Sequence, residues 1–408
     1  MNPRIYGPRK RDEQYDSSAS ERVVSPFEYD FLKSYLFAVY SKRCRTEEFR
    51  IFRCVGHSSL SHRPLKPSIA DMGSDVFPIV GDSVLEASVS WKGGLYEVNV
   101  SKESFYEGQR IHTAYCLSLT KEASYPRELL ERLLSESVSN SYYKNQVLRI
   151  TWDPMGERSL VAKPCKVTGQ PLSKIMLKKE TKDSIEFLIH TIQRYPVVHK
   201  SLRYLLEGRP GTGKTEIIRS VIEATRGQAT FLLVEGRIEF IELFDFAALF
   251  SPVVICLDDL DLIFGNRQDG ANREHLGEFL TMMDGLSKSN VFVIGTTNDK
   301  RWVDLAAARP GRFDLIIDVD VVEPAYYYKL VEERCAQKEI VDLFTHDVIR
   351  SLQEKNVSGA FIINLLKHLE ITQELQPEKL DGQYVLDAVR RMHRGFYKNP
   401  KSNGDFGF

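Results

Sequence analysis

Hydrophobic positions along the chain follow two different patterns, and the change between them falls near Leu172. Before this point, short segments rich in β-branched and aromatic residues predict strands. These segments are Phe49–Val55, Val84–Ser90, Leu95–Val100 and His112–Leu119. After it, apolar strands alternate with helices, which is typical of a doubly wound parallel sheet, and from Val341 onward the pattern is helical.

Two helices and one further strand accompany the first group of strands. The segment Ser25–Glu28 predicts a helix start, because serine can cap, proline suits the first helical position and glutamate completes a capping box. Apolar residues recur at helical spacing over Phe27–Tyr40 and again over Tyr125–Ser137. A strand, Gln146–Trp152, follows the second helix, and Lys92–Gly94 predicts a hairpin turn between two of the earlier strands.

These patterns divide the chain into domains and connecting segments. The first segment is polar, and the predicted linker contains proline and glycine. We predict a disordered tail over residues 1–24, an α+β domain over 25–160, a linker over 161–171, an α/β core over 172–325, a helical region over 326–397 and a second tail over 398–408.

Composition and charge narrow the class of protein. The chain of 408 residues has 55 Lys and Arg against 56 Asp and Glu, so bulk electrostatic binding to nucleic acid is disfavoured. No apolar run approaches the roughly 20 residues that span a bilayer, so we predict no transmembrane segment. The 6 cysteines are scattered without a CxxC pair, which argues against zinc and disulfides and favours a reducing, cytoplasmic compartment.

A phosphate-binding loop is the sharpest chemical signal. The sequence matches GxxxxGK[ST] at every fixed position, between a predicted strand and a helix that starts at Glu216. Glycines let backbone N–H groups surround phosphates, and the helix N-terminus adds a positive dipole. The lysine brings its charge to the β- and γ-phosphates, and the threonine supplies a hydroxyl to Mg²⁺. We therefore predict that ATP and Mg²⁺ bind to Gly208, Arg209, Pro210, Gly211, Thr212, Gly213, Lys214, Thr215 and Glu216.

Acidic residues follow the apolar strand Val253–Leu257. In open α/β sheets, ligands bind outside the carboxyl ends of the strands, so we expect Asp258 to hold Mg²⁺ through water. Asp259 is expected to orient or polarise the water that attacks the γ-phosphate. Without the phosphate loop, this segment would be an ordinary acidic loop at the rim of a sheet.

Together with the segments below, these residues resemble the AAA+ ATPases of the classical clade. The resemblance covers roughly residues 172–395. The matching segments, in the order that the family has them, are Phe279–Gly285, Val291–Asn298, Arg309–Asp314 and Val357–Ala360. The resemblance implies an α/β P-loop domain with a C-terminal helical lid, preceded here by the α+β domain.

The resemblance also implies roles for individual side chains. Asn298 would bond the γ-phosphate or the water that attacks it. Arg309 and Arg312 would act as arginine fingers in trans, where a guanidinium stabilises the charge of the transition state. Fingers in trans would make the active unit a homo-oligomeric ring, a hexamer or heptamer.

Some positions depart from the pattern of the clade. Asp259 stands where a glutamate is usual, and Glu207 and Arg209 flank the phosphate loop where an apolar residue and proline are more usual. The segment between Phe231 and Asp258 is short, with no equivalent of the aromatic-Gly pore loop. We therefore predict that Phe244 and Phe246, which lie in it, belong to the core.

These departures resemble the subgroup of the mitochondrial Rieske-protein translocase and its bacterial relatives. There the acidic pair also ends in Asp and the usual pore loop is absent, and Pro171–Leu177 resembles the entry into that ATPase domain. The resemblance implies that Ile175, Met176, Gly359 and Ala360 enclose the adenine. The transmembrane helix of the mitochondrial protein has no counterpart here, and the HExxH motif of the protease branch is absent.

We interpret the sequence as that of an ATP-hydrolysing ring protein that remodels or moves a protein substrate, with residues 26–160 binding the target or organising the ring. One alternative is a ring that binds or transports a folded partner. A second is a nucleotide-gated assembly scaffold with little turnover, in which Asp259 is too short to support hydrolysis. A third, disfavoured by the neutral charge balance, is a protein that acts on DNA.

Overall fold

The computed structural model describes most of the chain as two compact units. The described residues are 19–58 except 43 and 45, and then 61–65, 83–104, 110–119, 125–152, 160–264, 270–285, 291–298, 312–319 and 322–396. The first unit extends to Lys144 and the second begins at Asn145.

The first unit contains a six-stranded antiparallel sheet with the order β1-β6-β5-β4-β2-β3. Its strands are β1 (Ala19–Val24), β2 (Phe49–Ser58), β3 (Ser61–Leu65), β4 (Ser83–Trp91), β5 (Gly94–Ser104) and β6 (Arg110–Ser118). The prediction of a tail over residues 1–24 is wrong for β1, which pairs with β6 from Ala19 to Val24. Its polar residues suit an edge strand with one open side. Residues 1–18 lie outside the described residues.

Two helices cover one face of this sheet. They are α1 (Pro26–Tyr40) and α2 (Pro126–Ser139), and both predictions are confirmed. Ser25 accepts a hydrogen bond from the Glu28 N–H, and the Glu28 carboxylate accepts one from the Ser25 N–H, so the capping box is present. The predicted hairpin is also confirmed. Lys92 and Gly93 both have positive φ, at 46° and 79°, as a two-residue type I′ turn requires.

The second unit contains a seven-stranded sheet with the order β13-β9-β12-β11-β10-β7-β8. Neighbouring strands are parallel except at one edge, where β8 runs antiparallel to β7. The strands are β7 (Val147–Trp152), β8 (Leu160–Pro164), β9 (Arg203–Glu207), β10 (Thr230–Val234), β11 (Val253–Leu257), β12 (Val291–Thr297) and β13 (Leu315–Asp318).

The predicted boundary of the first domain at residue 160 is wrong. Strand β7 pairs in parallel with β10, from Val147 beside Phe231 to Ile150 beside Val234. The Asn145 N–H also donates to the Thr230 hydroxyl over 2.8 Å. The hydrophobic pattern identified the strand, but it carries no information about which sheet the strand joins. The second unit therefore gains two strands that precede its phosphate loop in sequence.

The segment predicted as a linker over residues 161–171 is packed structure. It begins within β8, and Cys165 and Val167 then lie against the core of the sheet. Arg226 donates to the Val167 carbonyl over 2.7 Å. At Gly169 the backbone approaches the helix α5 (Lys214–Ala224) so closely that a Cβ would overlap the carbonyl oxygen of Arg219. Glycine is needed there because it has no Cβ.

The helices of this unit form two groups: one packs on the sheet and the other makes up the C-terminal part. The helices that precede residue 300 are α3 (Lys179–Gln193), α4 (Tyr195–Val198), α5, α6 (Phe240–Ala248), α7 (Leu260–Phe264) and α8 (Gly270–Gly285). Those that follow are α9 (Tyr327–Arg334), α10 (Lys338–Asp342), α11 (His346–Glu354), α12 (Gly359–Leu375) and α13 (Gly382–Phe396). The later helices pack around a separate hydrophobic core between Val322 and Val389. We call this C-terminal group of helices the lid.

Two further sequence predictions can be compared with these elements. Phe244 and Phe246 are buried on α6, as predicted for core residues. Among the described residues, no helix is both long and apolar enough to cross a membrane.

The close approach at Gly169 generates a prediction about stability. Replacing Gly169 with alanine forces a methyl group against the backbone of α5, so we expect the free energy of unfolding to fall by about 1–3 kcal/mol. Urea denaturation measures this change. Gly277→Ala is the matched control, because a Cβ at that helical position meets nothing within 4 Å. Equal stabilities of the two variants would contradict the packing described for residues 165–171.

Candidate functional site

The carboxyl ends of three adjacent parallel strands converge at one edge of the second sheet. The phosphate loop follows β9, Asp258 follows β11 and Asn298 follows β12. Ligands bind at this edge in open α/β sheets. The structure therefore brings together the loop, the acidic residues and the asparagine that the sequence predicted as one site.

Backbone geometry leaves the phosphate loop open to an anion. Gly211 and Gly213 have φ values of 81° and 101°, which side chains other than glycine rarely adopt. Helix α5 begins directly after Gly213, and no side chain caps its first turn. The first N–H groups of that helix therefore suit a phosphate, as they do at other helix N-termini.

Lys214 is the buried cation of the site, with 5% of its surface exposed. Its Nζ donates to the carbonyls of Gly208 and Arg209 over 2.7 and 3.1 Å, and to Asn298 Oδ1 over 2.7 Å. Burial lowers the pKa of Lys214, and the nearby carboxylates of Asp259, Asp261 and Asp258 oppose that shift. The ammonium is thus held at the loop by hydrogen bonds that a phosphate oxygen is able to replace.

Thr215 and Asp258 form the predicted metal-binding pair. The Thr215 hydroxyl donates to Asp258 Oδ2 over 3.0 Å, so two hard oxygen ligands lie side by side next to the loop. This donor set fits Mg²⁺, which usually takes one or two protein oxygens together with water and substrate phosphates. Thr296 holds the aspartate in place. Its hydroxyl donates to Asp258 Oδ1 over 2.7 Å and accepts from the Asp259 N–H over 2.8 Å.

Asp259 has an unusual backbone conformation, with a φ of 57°. Its Oδ1 accepts a hydrogen bond from Asn298 Nδ2 over 3.1 Å, so the carboxylate lies beside the phosphate loop as expected for a residue that orients water. Burial raises the pKa of Asp259, and repulsion from Asp258 and Asp261 adds to the increase. A raised pKa makes this carboxylate a better acceptor of a hydrogen bond from water.

Three residues of the site were not identified from the sequence. Asp261 accepts hydrogen bonds from the Thr297 hydroxyl and the Asn298 N–H, over 2.8 and 3.1 Å. Thr296 bonds both Asp258 and Asp259. The signal was present: the two threonines end the buried strand β12, and Asp261 follows the acidic pair by two positions. Polar side chains at the end of a buried strand need hydrogen-bond partners, and the neighbouring acidic segment supplies them.

The two predicted arginine fingers differ in what the structure shows. Arg309 lies outside the described residues. Arg312 is only 7% exposed, and its Nε donates to Asp284 Oδ1 of the same chain over 3.0 Å. A second bond runs from its terminal nitrogen to Asp284 Oδ2 over 3.3 Å. Within its own chain the guanidinium is thus buried in a pair, and the role of Arg312 as a finger in trans stays a prediction.

The residues expected around the adenine divide into two groups. Ile175 packs against the core of the sheet, whereas Met176 packs against the lid. Met176 also lines a small cleft beside the start of the phosphate loop. The other residues that line it are Leu177, Lys178, Thr181, Val319, Val322, Glu323 and Tyr326, which the sequence did not predict.

Gly359 and Ala360 begin the lid helix α12; Gly359 faces Val322 and Leu330, and Ala360 lies against the phosphate loop. The Ala360 N–H donates to the Gly211 carbonyl over 3.3 Å, and a Cβ on Gly211 would lie 2.9 Å from the Ala360 methyl group. The remaining predicted loop residues have local partners. Thr212 donates to the Arg209 carbonyl over 3.0 Å, Glu216 pairs with Arg219 over 2.9 Å, and Pro210 is exposed.

Comparison with known proteins supports the site. Residues 204–321, which include the phosphate loop and all the carboxylates described above, match the profile of the ATPase family associated with various cellular activities (AAA). This segment is an AAA domain. The predictions of an ATPase domain and of its parallel-sheet fold with a helical lid are confirmed.

Two curated proteins are similar to part of this chain. The chain is 32% identical over 216 residues to the ATP-dependent zinc metalloprotease FtsH 3 of Phytoplasma mali (strain AT), covering 48% of this chain and 35% of that protein. It is 33% identical over 180 residues to the putative ribosome biogenesis ATPase nvl of Dictyostelium discoideum, covering 38% and 19%. The chain thus spans about a third or less of these relatives.

A solved structure is also similar. It is the FIGL-1 AAA domain in complex with ADP, which is 21% identical and has a TM-score of 0.41, covering 58% of this chain and 88% of that one.

The bridge made by Thr296 generates a prediction. In Thr296→Val the buried Asp259 N–H and the Asp258 carboxylate each lose a partner, so we expect the free energy of unfolding to fall by about 1–3 kcal/mol. The measurement is urea denaturation without nucleotide. Thr281→Val is the control, because Thr281 is exposed and bonds only a carbonyl of its own helix. A loss no larger than that of the control would argue against the bridge.

The pair between Arg312 and Asp284 is testable by a double-mutant cycle. We expect Arg312→Ala and Asp284→Ala to be coupled by about 1 kcal/mol in the free energy of unfolding, since the Asp284 side chain is 37% exposed and water screens the pair. Thermal or urea unfolding of the two single variants and the double variant provides the values. Additive effects would mean that Arg312 is free of Asp284 and available to another chain.

Proposed function

We propose that this protein is an ATP-hydrolysing motor of the AAA type that assembles into a ring and remodels or moves a protein substrate. The observation that carries the proposal is the convergence of Lys214, Thr215, Asp258, Asp259 and Asn298 on one edge of a parallel sheet. Each of these side chains has a role in phosphoryl transfer to water, and hydrogen bonds join them into one network.

Bound ATP with Mg²⁺ supplies the phosphoanhydride that is cleaved and the charge that polarises it. The chain's own groups bind and orient these reactants. Lys214 and the N–H groups at the start of α5 hold the phosphates, and Thr215 and Asp258 hold the metal. Asp259 accepts a hydrogen bond from the attacking water, and its raised pKa makes it a better acceptor.

The lid is proposed to complete the site around the base. Met176 and Tyr326 line the cleft beside the loop, and Ala360 touches the loop itself.

We propose Arg309 as the finger that reaches the site of a neighbouring subunit, which makes a homo-oligomeric ring, a hexamer or heptamer, the active unit. The first unit is proposed to bind the target or organise the ring. Its free cysteines suit a reducing, cytoplasmic compartment.

A ring that binds or moves a folded partner, as the Rieske-protein translocase subgroup does, is the second candidate. The observation that favours it is the burial of Phe244 and Phe246 in the short stretch between β10 and β11. In this stretch, the aromatic side chains that would grip an unfolded chain belong to the core instead. A substrate that is unfolded during turnover would count against this candidate.

The proposal predicts ATP hydrolysis that depends on assembly and on Lys214. Phosphate release should rise in specific rate with protein concentration, because the finger acts in trans. Lys214→Ala removes the buried cation of the loop, so we expect at least about 100-fold slower release. The matched control is Lys379→Ala, an exposed lysine of the same unit, which should hydrolyse ATP like the wild type.

The outcomes separate the candidates. Equal rates for Lys214→Ala and wild type would contradict the site. Tight ATP binding without turnover at any concentration of wild type would instead support the nucleotide-gated scaffold.

A further inference from the structure

We propose that Asp261 is a positioning residue that fixes the Asn298 amide so that its carbonyl oxygen, not its NH₂ group, faces the phosphate loop. This inference deepens the proposed ATPase function and rests on it. No sequence motif assigned a role to Asp261, although its charge acts on Lys214 of the loop. Its carboxylate acts through Asn298, to which it is joined by two hydrogen bonds.

The partners of Asn298 determine which way its amide points. Nδ2 donates to Asp259 Oδ1 over 3.1 Å and to Asp261 Oδ2 over 3.2 Å, while Oδ1 accepts from Lys214 Nζ over 2.7 Å. Ionised carboxylates only accept hydrogen bonds and an ammonium only donates them. The reversed amide would place an oxygen against two carboxylates and an NH₂ against the ammonium. Donor and acceptor chemistry therefore permits one orientation.

Asp261 is itself held firmly by the end of strand β12. Its Oδ1 accepts from the buried Thr297 hydroxyl over 2.8 Å and from the Asn298 backbone N–H over 3.1 Å. Its Oδ2 is thereby directed to the Asn298 side chain. The Asp261 carboxylate bonds both the backbone N–H and the side-chain amide of Asn298, so it fixes the amide relative to β12.

This arrangement has a consequence when a phosphate draws Lys214 away from Asn298. The NH₂ end of the amide remains bound to Asp261 and Asp259, so the side chain does not rotate. The carbonyl is then left facing the loop as an acceptor. An acceptor there takes a hydrogen bond from the attacking water and turns the lone pair of its oxygen towards phosphorus. Asn298 would thus orient the nucleophile and would not donate to the γ-phosphate.

An exchange of the two side chains tests this directly. In Asp261→Asn, with its oxygen kept by Thr297, an NH₂ group faces the NH₂ group of Asn298. In Asn298→Asp, a third carboxylate joins Asp259 and Asp261. In the double variant the new amide at position 261 donates to the new carboxylate at position 298, which still presents an oxygen to Lys214. Each single change therefore breaks the donor–acceptor match between positions 261 and 298, and the double change restores that match, although Asp259 then faces a carboxylate in place of the Asn298 NH₂ group.

Two measurements follow the exchange. Each single variant should lower kcat by about 10–100-fold, the effect of one charge-assisted hydrogen bond, with the KM for ATP within about 3-fold of wild type. The double variant should exceed the product of the single effects by at least about 10-fold. Unfolding by urea without nucleotide should show coupling of the same sign. Asp387→Asn, an exposed aspartate on α13, is the control and should change kcat by less than about 2-fold.

Two results would overturn the proposal. Multiplicative effects on kcat and additive effects on unfolding would show that Asp261 does not act through Asn298. Coupling in the unfolding experiment with no recovery of kcat would show that the match between positions 261 and 298 serves stability and does not position a group for hydrolysis. Failure of the proposed ATPase function is distinguishable from both, since the wild type itself would then release no phosphate.

Discussion

The second unit depends on how it accommodates three carboxylates at one edge of its sheet. Asp258, Asp259 and Asp261 follow the same strand, and burial together with the charges of Asp258 and Asp261 raises the pKa of Asp259. Because carboxylates are acceptors only, the neighbouring strand ends must supply donors. Thr296 and Thr297 at the end of β12, the following Asn298 and Thr215 at the start of α5 do so. The chemistry of the site is therefore also what lets these strands end next to each other.

The phosphate loop forms the boundary between the sheet and the lid. Its first residue lies so close to the Val319 carbonyl that a Cβ on Gly208 would overlap it, and Gly211 bonds the start of α12. Both contacts are made by backbone or small side chains, so the loop has little room to move relative to the residues it touches. A change in the conformation of the loop on phosphate binding would have to be matched by the lid. The loop thus joins the state of the site to the position of the C-terminal helices.

Local patterns predicted the parts of the structure that depend on local chemistry. The loop, the strand ends, the capping box at Ser25 and the hairpin at Lys92 each combine a backbone requirement with the residue type that meets it. The pairing of Arg312 with Asp284 could not be predicted, because it joins side chains 28 positions apart whose proximity depends on tertiary packing. Strand β7 was assigned to the wrong domain for the same reason, since its partner β10 lies far along the chain.

The addition of β7 and β8 to the sheet also sets the order in which the protein is completed as it is made. Both strands leave the ribosome before the three helices and strand β9 that separate them from β10. They join the sheet through the pairing of Val147–Ile150 with Phe231–Val234. Non-local pairing of this kind is slow, because a long loop must close before any contact rewards it. An unpaired hairpin edge is meanwhile open to other chains. During synthesis, the unpaired edge of this hairpin therefore needs protection from other chains until β10 has been made.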